Sequence, residues 1–253
     1  MIAQMSVDDC VRGIAGPVGK LGGAWMFDGA VNARGVELGL DTWAWYHCGR
    51  GGVLGNPDPS VVVAAFGFFP PALQTKAWFK GAAVMDPSLV TVEYAKACCV
   101  WGSGRFGTDP AGAARLADLL GKALDSAELI GLPLFAGWRR ILSDAADAAD
   151  AFGASEGPAR LALALQAARE HRGGSHLVAV AAAGISPLQA VMSGRYGATN
   201  AEFFGWPQPW PDPELAREAM AAVEVVTDAM VAPAFACLTG DERAELTAGL
   251  RTL

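Results

Sequence analysis

The sequence predicts an all-α fold, a multi-helix bundle, and the clearest sign is a repeated helix-start signal. Asp-Pro pairs occur at Asp58, Asp86, Asp109 and Asp212. An aspartate caps the free amides of a helix, and proline fits the first helical position. The composition agrees, because 52% of the residues are apolar and alanine, the best helix former, is abundant. Apolar residues also recur at spacings of three and four, as in Leu116–Leu124.

Two short apolar runs that resemble strands are also predicted to be helical. Val61–Val63 directly follows the cap at Asp58, and Leu177–Val180 lies in an alanine-rich tract that ends at Gly184. Further helix starts of the same kind are predicted at Pro70-Pro71, Ser186-Pro187 and the capping box Thr239–Glu242. The chain should therefore contain about ten helices joined by short Gly/Pro loops.

The chain is expected to form two helical lobes around a central pocket. An N-terminal lobe would span residues 1–150 and a C-terminal lobe residues 151–253, with Ala151–Gly157 as the linker. His47–Gly52 and His171–Gly174 are similar in content. They are either the trace of a duplication, which would make the lobes pseudo-symmetric, or a coincidence in a chain with 31 glycines.

Charge and cysteine content limit the partners and the compartment. The formal net charge is −7, which makes DNA an unfavourable partner and disfavours anionic membranes. No long uninterrupted apolar stretch predicts a membrane span. Acidic Asp8 and Asp9 stand where a secretory signal would be basic. The five cysteines form no CxxC pair, so we expect a reduced, cytoplasmic protein. A homodimer stays open.

The strongest candidate site is the segment from Arg169 to His176. Glu170, His171, Arg172 and His176 bring a carboxylate, two imidazoles and a guanidinium around Gly173-Gly174. His171 is a candidate general base, oriented by Glu170, and Arg172 suits an anionic group. On one unbroken helix the two histidines would point about 140° apart. A break at the glycines would let them converge.

Trp43–Arg50 contains a second candidate site. On a helix, Trp43, Tyr46, His47 and Arg50 share one face by their spacing of three and four. This face combines aromatic surface, an imidazole and a guanidinium, which suits a planar or acidic ligand. An ordinary aromatic core, with Arg50 reaching a buried carboxylate, would give the same pattern.

Three roles stay open for these groups from the residues alone: ion pairs and caps that only hold helices together, a small-molecule or acid–base site, and a metal site. We commit to the second role, with no metal and no cofactor. The predicted catalytic residues are His171, His47 and Glu170, and the predicted ligand-binding residues are Arg50, Arg172, His176, Trp43 and Tyr46.

The Glu-His-Arg-Gly-x-x-His motif at residues 170–176 also carries a family resemblance. Together with the surrounding Leu161–Gly184, it resembles a family of actinobacterial proteins described as having a MarR-like winged-helix region. Gly49-Arg50 and Leu54-Gly55 resemble a second family segment, and Asp212–Leu253 resembles the family's C-terminal helices. The resemblance implies a helical protein related to ligand-responsive DNA-binding regulators.

The chain departs from this family in two places. Gly174 stands where the family usually has an acidic residue and Ser175 where it has glycine, so an acid that could serve as a metal ligand is missing. After Trp206 the chain passes through prolines directly to a helix at about Pro213, which leaves little room for a recognition helix and a β-wing.

We therefore expect a soluble small-molecule-binding protein. Its enzymatic form would be a cofactor-independent acid–base enzyme of specialised metabolism acting on an acidic or planar substrate. The alternative is a MarR-like regulator or a relative that does not bind DNA.

Overall fold

The computed structural model describes residues 4–147 and 156–253, and within these ranges the fold is all-α. They contain thirteen α-helices with short 3-10 turns between them, and no β-strand. The α-helices are α1 Val7–Ala24, α2 Gly29–Glu37, α3 Thr42–Gly51, α4 Pro59–Phe66, α5 Pro71–Ala82, α6 Pro87–Phe106, α7 Pro110–Asp125, α8 Pro133–Asp147, α9 Glu156–Ala182, α10 Pro187–Ser193, α11 Gly197–Phe203, α12 Arg217–Phe235 and α13 Gly240–Thr252.

The predicted helix starts are confirmed. Asp58, Asp86 and Asp109 cap α4, α6 and α7 with their side chains, and a proline follows each cap. Asp212 caps a short 3-10 turn that leads into α12. Thr239 forms the predicted capping box at the start of α13. Both apolar runs that resemble strands are helical, because Val61–Val63 belongs to α4 and Leu177–Val180 to α9.

Helix α9 is the central element of the bundle. It packs against α1, α6, α7, α8 and α12. Its segment 161–168 is apolar except for Gln166, and Leu161, Leu163 and Leu165 are all fully buried. A helix that is apolar all round is stable only in such surroundings. Around it lies one large hydrophobic core that contains residues from Cys10 to Leu250.

The break expected at Gly173-Gly174 does not occur. Helix α9 continues without interruption from Glu156 to Ala182, so His171 and His176 stay on different sides of it. A glycine in a helix costs only about 1 kcal/mol relative to alanine. The burial of the apolar residues before and after the pair outweighs this cost.

The predicted division into lobes at residue 150 stays a prediction, as does their pseudo-symmetry. Of the expected linker Ala151–Gly157, residues 151–155 lie outside the described ranges, and the last two residues belong instead to the first turn of α9. The hydrophobic core contains side chains from both predicted lobes, for example Trp45 and Phe235.

The aromatic segment Gly194–Pro213 folds back onto the bundle, as its composition predicts. Part of it forms α11. The indole N–H of Trp206 donates to the carbonyl of Phe68 at 3.1 Å, and the ring of Phe204 lies 4.5 Å from that of Phe69. These contacts attach the segment to the loop between α4 and α5.

None of the described helices is by itself long and apolar enough to cross a lipid bilayer. One pair of helices, Gly157–Ala182 with Pro187–Ser193, reaches that threshold only jointly and is bent by 113° at its junction.

Candidate functional site

A cleft of about 990 Å³ is lined by residues of α1, α3, α4, α8, α9, α10 and α11 and by Glu224 of α12. Its volume is in the range of small-molecule sites, roughly 300–1,000 Å³. Most of its wall is apolar, and aromatic rings form a large part of it. The aromatic residues are Phe27, Tyr46, Phe66, Phe68, Phe69, Phe135 and Phe204, and the ionisable groups are Arg50, Arg169, Glu170, Arg172, His176 and Glu224.

The floor of the cleft is a buried ion pair between α3 and α9. Arg50 donates from Nε to Glu170 Oε1 at 2.8 Å and from Nη2 to Oε2 at 2.9 Å. This bidentate geometry joins residues 120 positions apart in the chain. Relative exposures of 7% for Arg50 and 3% for Glu170 show that both charges are shielded from bulk water. A buried charge that loses its partner destabilises the fold strongly.

Further hydrogen bonds complete this pair. Gln166 Nε2 donates to Glu170 Oε1 at 2.7 Å, and Arg50 Nη1 donates to the hydroxyl of Tyr46. Burial raises the pKa of Glu170. The charge and hydrogen bonds of Arg50, the charge of Arg169 and the hydrogen bond from Gln166 lower it by more, so that the pKa lies below its usual value. Burial lowers the pKa of Arg50, and the charge of Glu170 more than offsets this effect. Both groups are therefore ionised at neutral pH.

A second charged cluster joins α9 to α12 at the side of the cleft. Arg172 donates to Asp228 Oδ1 and to Glu224 Oε2, each at 2.6 Å. The guanidinium is thus shared by two carboxylates. His176 Nδ1 lies 3.5 Å from Glu224 Oε1 and 3.2 Å from Thr227 Oγ1. The oxygen atoms of Glu224 and Thr227, both on α12, therefore face the imidazole.

These contacts determine which nitrogen of His176 carries the proton. The hydroxyl of Thr227 donates to the carbonyl of Val223 at 2.8 Å, so its oxygen can only accept from His176. Nδ1 therefore carries the hydrogen, and in the neutral ring Nε2 keeps a free lone pair. Burial lowers the pKa of His176, Glu224 raises it and Arg172 lowers it, and the net direction is down. His176 is a neutral imidazole at pH 7 with one basic nitrogen.

The structure does not bring His171 to the cleft. His171 lines a separate gap of about 10 Å³ whose walls include Ile14, Val18 and Phe235. The ring of Phe135 lies 4.6 Å away. Burial lowers the pKa of His171 to about 4. Because α9 is unbroken, this side chain lies against α1 and α12 and does not face the cleft. Its role as a general base stays a prediction.

His47 and Trp43 also lie outside the residues that line the cleft. His47 is fully buried, and its Nδ1 donates to the carbonyl of Trp43 at 2.9 Å. Burial lowers the pKa of His47 to about 4 against the opposing effect of that hydrogen bond. Trp43 packs edge-on against Tyr46 and Phe69. The two side chains form aromatic core behind the cleft, which is one of the two roles left open by the sequence.

Five of the eight predicted site residues therefore share one cleft, and three do not. Tyr46, Arg50, Glu170, Arg172 and His176 all line it. Among the residues that the structure describes, no group of three or more His, Cys, Asp or Glu side chains is arranged to hold a metal ion.

Sequence reasoning missed Arg169 as a site residue. Its guanidinium lines the cleft, and its contact with a carboxylate, Glu170 Oε1, is 3.7 Å long. It also missed Gly16 and Gly19 of α1, which line the same wall. A signal was present, because glycines recur three residues apart within α1, a helix that has no need of them for its backbone.

We expect Glu170→Gln to destabilise the protein by about 3–5 kcal/mol, because it leaves the buried charge of Arg50 without a partner. The measurement is the free energy of unfolding in urea at pH 7.5. The double variant Arg50→Met with Glu170→Met should recover most of the loss, since no charge is then left buried.

The matched control is Glu245→Gln. Glu245 accepts the same bidentate pair of bonds from Arg115, at 2.9 and 2.8 Å, but both side chains are exposed. Little change is expected there, because water screens exposed pairs. Equal losses in the two single variants would contradict the structural role assigned to the pair of Arg50 and Glu170.

We expect stability to fall as the pH drops from 7.5 to 5, and part of this loss to disappear in His171→Gln. The folded pKa of His171, about 4, lies below its unfolded value near 6.5, so between these values the unfolded state holds a proton that the folded state excludes. At pH 5 this proton favours unfolding by about 2 kcal/mol.

The measurement is a series of urea unfolding curves across this pH range. The loss from pH 7.5 to 5 should be smaller in the variant by about that amount. An identical pH dependence in both proteins would show that His171 is not buried in its neutral form.

Comparison with known proteins identifies a family but no individual relative. No curated protein and no solved structure shows significant similarity to the chain. Residues 12–217 match the model of a helix-turn-helix family. This range covers most of the chain and includes Arg50, Glu170 and the glycines of the cleft wall. The chain therefore belongs to the helix-turn-helix family.

Proposed function

We propose that this chain binds a small molecule in the cleft between α3, α9 and α12. The observation that carries the proposal is the cleft itself, which combines about 990 Å³ of space with a mostly apolar wall and a few convergent polar groups. This combination is typical of ligand sites. The pair of Arg50 and Glu170 gives the floor a fixed shape, so that the site is formed before a ligand enters.

Three glycines of the wall support this proposal. A Cβ atom added to Gly16, Gly19 or Gly173 would meet no atom within 4 Å. Gly52 is different, because a Cβ there would lie 1.9 Å from the carbonyl oxygen of Pro87. Packing within the fold thus explains Gly52 but not the three glycines of the wall, although each of them weakens a helix. Because all three line the cleft, the absence of a side chain at these positions leaves space there for a ligand.

The enzymatic form of the proposal is a cofactor-independent acid–base reaction on an acidic or planar substrate, as in specialised metabolism. Its support is His176, which lines the cleft and is neutral, with Nε2 as the basic atom. In this proposal His176 takes the role of general base that the sequence analysis predicted for His171 and His47. A base with a pKa somewhat below neutral is unprotonated, and so competent, at physiological pH.

The alternative is a ligand-responsive regulator of the MarR-like, actinobacterial kind that the motif at residues 170–176 resembles. Membership of a helix-turn-helix family favours it. The charge opposes it, because the chain has a net charge of −7 and α11, the second helix of the short pair α10 and α11, carries no Lys or Arg. DNA binding depends on cationic groups that contact phosphates.

A mobility-shift assay separates the regulator from the other forms. We expect no sequence-selective complex with duplex DNA drawn from a random library at physiological salt. Tight binding to a selected sequence, released by a small molecule, would establish the regulator instead.

The binding proposal itself is tested by filling the cleft. We expect the neutral probe 1-naphthaleneacetamide to bind the wild-type protein at one saturable site, measured by isothermal titration calorimetry. In Gly173→Phe the new ring occupies the open space beside the glycine, and the affinity should fall at least about tenfold, the equivalent of 1.4 kcal/mol.

Gly104→Phe is the matched control. Gly104 also lies within a helix and also has no atom within 4 Å of an added Cβ, but it is on α6, away from the cleft. Its variant should bind the probe as the wild type does. Absence of saturable binding to the wild-type protein, or equal binding by Gly173→Phe, would overturn the proposal.

A further inference from the structure

Arg169 is the cationic group of the cleft wall whose hydrogen-bonding capacity is unused. Its nearest carboxylate contact runs from Nη1 to Glu170 Oε1 at 3.7 Å, which is beyond hydrogen-bond length. That carboxylate already accepts two hydrogen bonds from Arg50 and one from Gln166. In the described part of the chain, the guanidinium of Arg169 donates no hydrogen bond.

The other two guanidiniums of the wall are satisfied. Arg50 is held by Glu170 and Tyr46. Arg172 is held at 2.6 Å by both Glu224 and Asp228. Neither can turn to a ligand without leaving a carboxylate unpaired, and for the buried Glu170 that loss is large. Within the described part of the chain, Arg169 is thus the guanidinium of the wall whose charge is not shared with a carboxylate at hydrogen-bond distance, and an anionic group that enters the cleft can pair with it.

The position of Arg169 is fixed by α1. A Cβ added to Gly22 would lie 3.0 Å from Cβ of Arg169, and one added to Gly23 would lie 3.3 Å from its Nε. The side chain thus lies against the bare backbone of α1. It remains 29% exposed and lines the cleft. A guanidinium held in this way presents a planar pair of donors, which matches a carboxylate.

The rest of the wall suits an aromatic body. Seven aromatic side chains line the cleft, and aromatic rings pack favourably face to edge or offset against one another. Phe27, Phe66 and Phe69 all pack against the ring of Tyr46 and form one aromatic cluster in the wall.

We infer that the ligand is an aromatic acid whose anionic group pairs with Arg169. This inference rests on the proposed binding function and adds the chemical class of the ligand. It differs from the sequence-based prediction, in which Arg50 and Arg172 bind the ligand, because these two groups already have carboxylate partners at hydrogen-bond distance within the fold.

The test compares 1-naphthaleneacetate with its neutral isostere 1-naphthaleneacetamide, using calorimetry on the full chain. In the wild-type protein we expect the acid to bind about tenfold to a hundredfold more tightly than the amide, as for a hydrogen-bonded charge. In Arg169→Gln this preference should vanish, with the affinity for the amide unchanged. Arg169→Lys keeps the charge but not the planar fork and should retain part of the preference.

Arg115→Gln is the control for loss of one positive charge, since Arg115 is exposed and pairs with Glu245 at a distance from the cleft. It should keep the full preference for the acid. If the wild-type protein binds both probes equally, or if Arg169→Gln keeps the preference, the anion site at Arg169 is wrong while the cleft remains a binding site. If neither probe binds, the proposed function fails together with this inference.

Discussion

The buried ion pair between Arg50 and Glu170 is the constraint on which the arrangement of the cleft depends. Two charges removed from water are tolerated only while they remain paired, so α3 and α9 have to keep one register relative to each other. Trp138 supports the same point, because its indole N–H donates to the carbonyl of Arg50 at 3.1 Å and so attaches α8. Three helices are thus fixed where the cleft begins. The pair neutralises itself, which leaves a polar floor of fixed shape with no net charge to attract or repel a ligand.

The continuity of α9 separates a face in the apolar interior from a face that lines the cleft. Because the helix passes through Gly173 unbroken, residues five apart are turned by about 140°. His171 consequently lies in the apolar interior between α1 and α12, where burial keeps it neutral. His176 lies at the cleft, where Thr227 and Glu224 fix its tautomer. A kinked helix would have brought both imidazoles to one site, as metal binding would require. The straight helix leaves a single imidazole there.

The sequence predicted most of the fold because helix starts are local. An aspartate such as Asp86 caps the amides that follow it, and no distant residue is needed for that effect. It also predicted one small-molecule site with residues from both segments, among them Arg50 and Glu170, and both line the cleft. It could not predict which partner each group takes. Arg50 and Glu170 are 120 residues apart, and only the packed helices decide that Arg172 meets α12. Arg169 stands out only once the partners of Arg50 and Arg172 are known, and these partners are distant in the sequence.

Most residues of the cleft lie within the range that matches the family, but the acidic partners of Arg172 and His176 lie outside it. The match covers residues 12–217, which include the pair of Arg50 and Glu170, the open glycines and Arg169. The acidic partners of Arg172 and His176 lie beyond it, on α12, at Glu224 and Asp228. The matched part thus supplies most of the cleft lining and Arg169, whose contact with Glu170 is longer than a hydrogen bond. Helix α12 neutralises the second guanidinium and orients the imidazole. A change on α12 would therefore free Arg172 and release His176 without disturbing the floor formed by Arg50 and Glu170.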